Sequence, residues 1–215
     1  MATQLPEGYF ALPASGDGRA VLVLHPWWGL NETIRAFCRR LAGAGFVAFA
    51  PDLFHGKVTD QIDEAETLAK ANFQRSDEVK AEVAAAARFL HVRAEQADAG
   101  IATIGFSLGA SYALDLSTTA PDLVRSVVLF YGAGEGDYRQ SQASYLGHFA
   151  ENDLYEEEEY IVAMEKGLRE AGRPVTFHTY PNTGHWFFEA DRADAYHAEA
   201  AELAWTRTLA FLQEK

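Results

Sequence analysis

Gly105-Phe106-Ser107-Leu108-Gly109 reads as G-x-S-x-G. It follows the β-type run Gly100-Ile101-Ala102-Thr103-Ile104 and precedes the helix-forming Ala110-Ser111-Tyr112-Ala113-Leu114. A serine placed between a strand and a helix in this pattern sits on a sharp, strained turn with its Oγ exposed. The flanking glycines are small because neighbouring backbone must approach the turn closely. This stretch therefore predicts a strand, an elbow carrying a nucleophile, and a helix.

Outward from the elbow, apolar runs and helical stretches alternate. Val21-Leu22-Val23-Leu24-His25 is a short β-branched run of the buried-strand kind, followed by a helix near Thr33 to Ala44 that Gly45 can stop. Phe46 to Ala50 is the next strand, closed by Pro51-Asp52. Residues 60–72 and 77–94 read as helices. Beyond the elbow helix, which runs to about Ser117, come strands at 126–131, 144–149 and 174–180. Helices follow at 155–171 and from about Asp194 to Leu212. About five such alternations predict a single α/β domain, residues 1–215, with a mostly parallel sheet covered by helices on both faces. Residues 132–143 are the most loop-like interior stretch. They follow a strand's C-terminal end, where open α/β sheets bind ligands, so a pocket-wall role is expected.

Composition narrows the partners. At 215 residues, with 48 % hydrophobic and 23 % charged side chains, the chain can bury a substantial core. Its formal net charge of −13 disfavours nucleic acid and anionic membranes. Glu156-Glu157-Glu158-Glu159 reads as a solvated run opening a helix, where acids suit the dipole, rather than as a metal site. Cys38 is the only cysteine, which rules out an intramolecular disulfide and a CxxC motif. It reads as a partly buried apolar residue rather than a nucleophile. Residues 1–8 lack a basic n-region and an apolar h-region, and no run approaches the ~18 apolar residues of a spanning helix. The expectation is a cytoplasmic protein.

A serine hydroxyl is a weak nucleophile until a base takes its proton, and that base needs a third group to fix its tautomer. After Ser107 the chain supplies both in the order Ser, Asp, His. Asp153 follows the strand at 144–149, and His185 follows the strand at 174–180. Glu151 and Asp137 are rivals for the acid; Asp153 has the better loop offset. His25, His55 and His148 lie near strand ends, but none follows a strand downstream of the acid, whereas His91, His178 and His197 lie within elements. The developing oxyanion needs two backbone N–H donors. Leu108, next to the nucleophile, is one. Trp27 is expected to be the other, because Pro26 has no N–H. Trp28, Phe54, Phe106, Tyr131, Trp186 and Phe187 are candidates for an apolar substrate pocket.

These stretches together resemble the dienelactone hydrolase family of the α/β-hydrolase superfamily, from about Val21 to Leu212. The carriers are Leu24-His25-Pro26-Trp27-Trp28-Gly29-Leu30-Asn31, Ala50-Pro51-Asp52-Leu53-Phe54, the elbow, Phe149-Ala150-Glu151-Asn152-Asp153 and Gly184-His185-Trp186-Phe187. The C-terminal helix around Trp205 adds to them. The resemblance implies a compact hydrolase without a lid, with a Ser107–Asp153–His185 triad at the carboxyl edge of the sheet and no metal or organic cofactor. The chain departs from the family's best-known members at three points: they carry cysteine where Ser107 stands, a gating glutamate where Pro26 stands, and a substrate-binding arginine where Glu189 stands. Glu189 is expected to repel a carboxylate. The resemblance and departures together imply a serine esterase for small neutral esters or lactones. A thioesterase or small peptidase on the same triad, and a catalytically silent binding protein, are the alternatives.

Overall fold

The computed structural model describes residues 6–93 and 100–214. The expected helix end at 94 and residues 1–5 lie outside the described residues. Among the described residues there are seven strands: β1 (Gly8–Ala11), β2 (Ala20–Leu24), β3 (Val47–Pro51), β4 (Ile101–Phe106), β5 (Val124–Phe130), β6 (Ser144–Ala150) and β7 (Val175–Tyr180). The helices are α1 (Glu32–Gly43), α2 (Ile62–Gln74), α3 (Ser76–His91), α4 (Leu108–Thr119), α5 (Glu158–Glu170) and α6 (Ala198–Glu214). The chain thus forms an α/β-hydrolase fold, with one sheet in the order β1-β3-β2-β4-β5-β6-β7. Every neighbouring pair is parallel except β1–β3.

Burial on both faces explains the continuous apolar runs of β2, β3 and β4, which are buried at every residue. On one face Val21, Val23, Ile104, Phe106 and Phe130 pack with Phe37 and Leu41 of α1 and Trp205 of α6. On the other, Leu22, Leu24, Phe49, Val127 and Leu129 pack with Val83 and Leu90 of α3, Ala113 of α4 and Leu168 of α5. Cys38 faces the first core with no exposure, and burial pushes its thiol up to about 12.

Winding reverses between β2 and β4. The chain steps from β2 outward to β3, then crosses back to place β4 on the other side of β2. At that reversal the loops leaving the two strands diverge and open a crevice at their carboxyl ends. The β2 loop begins at His25 and the β4 loop is Ser107 itself, so topology alone brings them together.

Three expectations about elements change. β1 was not anticipated; it is a four-residue edge strand lying antiparallel to β3. The helix expected from 155 begins at Glu158; ahead of it the Asp153 carboxylate accepts the amides of Tyr155 and Glu156. The last helix begins at Ala198 rather than near Asp194. His197 therefore lies ahead of it, where Nδ1 accepts the Ala200 amide at 3.3 Å. His148 also moves, from a strand end to the buried interior of β6.

Candidate active site

Ser107 occupies the turn between β4 and α4 with φ 49° and ψ −115°, a left-handed backbone that L-residues rarely adopt. The turn closes only because its flanks lack side chains. A Cβ on Gly105 would come within 2.5 Å of Ala110 Cα, and one on Gly109 would overlap the Leu24 carbonyl of β2. The Ser107 amide is taken by the Phe130 carbonyl at 2.9 Å, which fastens the elbow to β5.

Ser107 Oγ lies 2.9 Å from His185 Nε2, and His185 Nδ1 lies 2.8 Å from both carboxylate oxygens of Asp153. An ionised carboxylate can only accept, so Nδ1 carries the ring proton and Nε2 accepts from the serine hydroxyl. The side chains of His185 and Asp153 are 5 % and 4 % exposed, which protects this chain of bonds from competing water. Asp153 Oδ1 also accepts the amides of Tyr155 and Glu156, both at 2.9 Å. Glu151 points elsewhere, accepting the Asn182 amide at 2.7 Å, and Asp137 pairs with Arg139.

The two expected oxyanion donors have no acceptor among the described residues. Leu108 N–H is the first of α4, so it has no intrahelical partner. Trp27 N–H lies in the loop after β2 and bonds to no other described group.

The aromatic candidates separate. Trp27 is half-buried and forms a wall with Trp186, their rings stacked at 6.0 Å. Tyr155, which the sequence reading did not single out, completes it. Its ring lies 5.6 Å from Trp27, 4.6 Å from Trp186 and 5.3 Å from the His185 imidazole. Position offered the one available signal: Tyr155 lies two residues beyond the acid. A cavity of about 360 Å³ opens beside this wall, lined by Tyr155, His185, Trp186, Leu154 and Asn152 among others.

Four pocket candidates are corrected to core. Phe106 stacks on Phe130 at 4.6 Å, because the last residue of β4 points into the α1 face. Phe54 packs edge-on against His25 in the opposite core, and Phe187 is sealed between Tyr131 and Tyr180. Trp28 is 1 % exposed beneath the Arg192 guanidinium. Tyr131 is also fully buried, but its ring backs the imidazole at 4.9 Å.

Glu189 is corrected as well. It does not face the crevice but is completely buried, accepting the Tyr131 hydroxyl at 2.8 Å. Burial is the main force pushing its carboxyl up to about 8, so it is largely uncharged near neutrality and repels little. Glu156 is partly buried rather than solvated. It accepts the Ala133 amide at 2.8 Å, which ties the acid loop to the loop after β5. That loop walls a separate cavity of about 310 Å³ against Tyr160, Met164 and Gly167 of α5. Among the described residues, no three His, Cys, Asp or Glu side chains converge to hold a metal, and no helix is long and apolar enough to cross a membrane.

Residues 7–215 match the model of the dienelactone hydrolase family. The chain belongs to that family. Relatives of the same length agree. Protein usf of Aquifex pyrophilus is 32 % identical, with the match covering 97 % of this chain and 93 % of that protein. An Aquifex aeolicus protein named "Putative carboxymethylenebutenolidase" is 30 % identical over 96 % of this chain and 92 % of its own length. A Klebsiella pneumoniae crystal structure titled "Putative Dienelactone Hydrolase" superposes with a TM-score of 0.83 at 26 % identity. It covers 97 % of this chain and 92 % of that one. This dienelactone hydrolase family member is accordingly a hydrolase of the ester and lactone type.

Proposed function

We propose that this family member is a cytoplasmic serine hydrolase that cleaves small neutral carboxylic esters or lactones through an acyl-enzyme. The unbroken chain of bonds from Ser107 Oγ through His185 to Asp153 carries this reading. Ser107 Oγ attacks the carbonyl carbon as its proton passes to His185 Nε2. Asp153 holds the imidazole in the accepting tautomer and stabilises the imidazolium that results. The negative charge gathers on the former carbonyl oxygen, where the Trp27 and Leu108 N–H groups receive it. Donors of this kind are each worth about 2.7–4 kcal/mol where measured. His185 then gives its proton to the leaving alkoxide, and the carbonyl re-forms on Ser107. Water, deprotonated by His185, releases the acid and regenerates the hydroxyl.

The apolar part of the substrate packs against Trp27, Tyr155 and Trp186, with no charged group asked to bind it. Arg192, which covers Trp28 and Trp186, is engaged by the Asp60 carbonyl and by Asp194. Pro26 suits a serine nucleophile, because a hydroxyl activated by His185 needs no thiolate gate. The lone buried thiol fits a reducing compartment, and the net charge of −13 fits a partner that is neither nucleic acid nor anionic membrane. Ser107→Ala should lower turnover of short-chain p-nitrophenyl esters by roughly 10³-fold or more. A fluorophosphonate should label Ser107 alone. Unchanged hydrolysis, or labelling elsewhere, would overturn the reading.

A further inference from the structure

His25 stands immediately after β2, 1 % exposed, and takes no part in the Ser107–His185–Asp153 chain. Both of its ring nitrogens are nonetheless committed. Nε2 lies 3.2 Å from the Leu53 amide nitrogen, and an amide can only donate, so Nε2 holds a lone pair. A neutral imidazole has one N–H, which must then be on Nδ1, 2.7 Å from the Pro26 carbonyl oxygen. Burial lowers the His25 pKa and keeps the ring in this neutral form.

The Pro26 carbonyl shares one planar peptide with the Trp27 N–H. Among the described residues no peptide bond is cis, so the carbonyl and the amide point in opposite directions, and whatever holds the oxygen aims the N–H. The proline ring already fixes φ at residue 26, leaving ψ as the torsion that turns this peptide plane. Two donors hold the oxygen: the Gly29 amide at 3.2 Å and, more closely, the His25 ring.

We propose that His25 is a positioning residue for ester cleavage, aiming the Trp27 N–H at the developing oxyanion through its Nδ1–H bond to the Pro26 carbonyl. This rests on the reading of Ser107 as the nucleophile and Trp27 as an oxyanion donor. It makes His25 act on the transition state and leaves the ground state alone, because the carbonyl oxygen carries its full negative charge only after attack.

Two substitutions separate the bonds the ring makes. The asparagine amide nitrogen falls where Nδ1 lies, and the end of glutamine falls where Nε2 lies. His25→Asn therefore keeps the bond to Pro26 and gives up the one from Leu53, while His25→Gln does the reverse. With p-nitrophenyl esters, kcat of His25→Gln should fall about tenfold to a hundredfold at nearly constant KM, since a misaimed donor costs less than an absent one. Affinity for a boronic acid transition-state analogue should fall by the same factor, while His25→Asn stays within about threefold of the parent on both measures. Equal losses in the two variants, a loss confined to KM, or an unweakened boronate in His25→Gln would overturn the proposal. The unmutated protein supplies a check independent of folding: ¹⁵N NMR should find His25 protonated at Nδ1, and protonation at Nε2 would overturn it. Fluorophosphonate labelling of the parent separates the two levels. Labelling of Ser107 alongside any of those adverse results sinks only the role of His25, whereas no labelling sinks the serine mechanism beneath it.

Discussion

The Ser107 backbone, at φ 49° and ψ −115°, costs of order 1–3 kcal/mol, which the fold supplies through the Phe130 bond and the packing of α4. That cost holds Oγ 2.9 Å from a base whose own tautomer depends on one acid. Asp153→Asn should therefore lower kcat by about 10⁴-fold, because an amide facing Nδ1 reverses the imidazole tautomer. Glu151→Gln should leave kcat within about twofold, since Glu151 meets only the Asn182 amide. Steady-state kinetics on both variants checks the pair, and comparable losses would return the acid assignment to Glu151. Glu189 makes a different kind of prediction. With its carboxyl raised to about 8 in the fold and near 4.5 when unfolded, its contribution is complete below pH 4.5 and is lost as pH rises toward 8. Each unit of that interval costs about 1.4 kcal/mol. Glu189→Gln keeps an acceptor for the Tyr131 hydroxyl and removes the ionisation. Urea midpoints measured from pH 5 to 8 should fall less with rising pH in the variant than in the parent, and parallel slopes would refute this.

At the scale of elements, β6 carries the opposite dependence. His148 is fully buried in that strand, with Nδ1 2.8 Å from the Tyr180 hydroxyl of β7 and Nε2 2.9 Å from Thr208 Oγ1 of α6. Burial, with His178 and Arg207 nearby, holds its pKa well below 6.5. The unfolded chain therefore binds a proton that the fold refuses, and stability is lost as pH falls below about 6.5. His148→Gln should flatten the decline in urea midpoint between pH 7 and 5; an unaltered decline would remove His148 as its source. Much of the element order was legible because β2 to β5 are largely apolar runs and β7 alternates apolar with polar residues, each strand set off by a helix or loop. The positions of Ser107, Asp153 and His185 were legible because each follows a strand. β1 was not, being four residues paired at an edge, where little is buried to mark it. Residues 155–157 were misread as helix because the contacts that hold them are tertiary: Asp153 reaches His185 and Glu156 reaches the Ala133 amide, partners far away in sequence. The aromatic wall was legible only in part, since sequence supplies ring types but not their directions. Phe106 and Phe187 turn into the core while Tyr155 turns over the imidazole.

Across the whole molecule, 31 acidic residues face 18 lysines and arginines, giving the net charge of −13. Many of the basic groups are already spent in exposed pairs such as Lys70–Glu66 and Arg169–Glu165, so the excess acids set the long-range field. A field of that sign repels anionic esters on approach and attracts cationic ones, even though the wall of Trp27, Tyr155 and Trp186 offers both the same apolar contact. Raising ionic strength from 0.01 M to 0.15 M shortens the screening length from about 30 Å to about 8 Å. Over that range kcat/KM should rise for an ester bearing a distant carboxylate, fall for one bearing a distant ammonium, and stay level for the neutral parent. The groups must be distant so that the measurement reads the approach and not a contact in the site. Matched esters differing only in that terminal group, assayed well below KM, make the comparison. If all three respond alike, the acidic surface has no influence on substrate choice, and preference rests on the crevice alone.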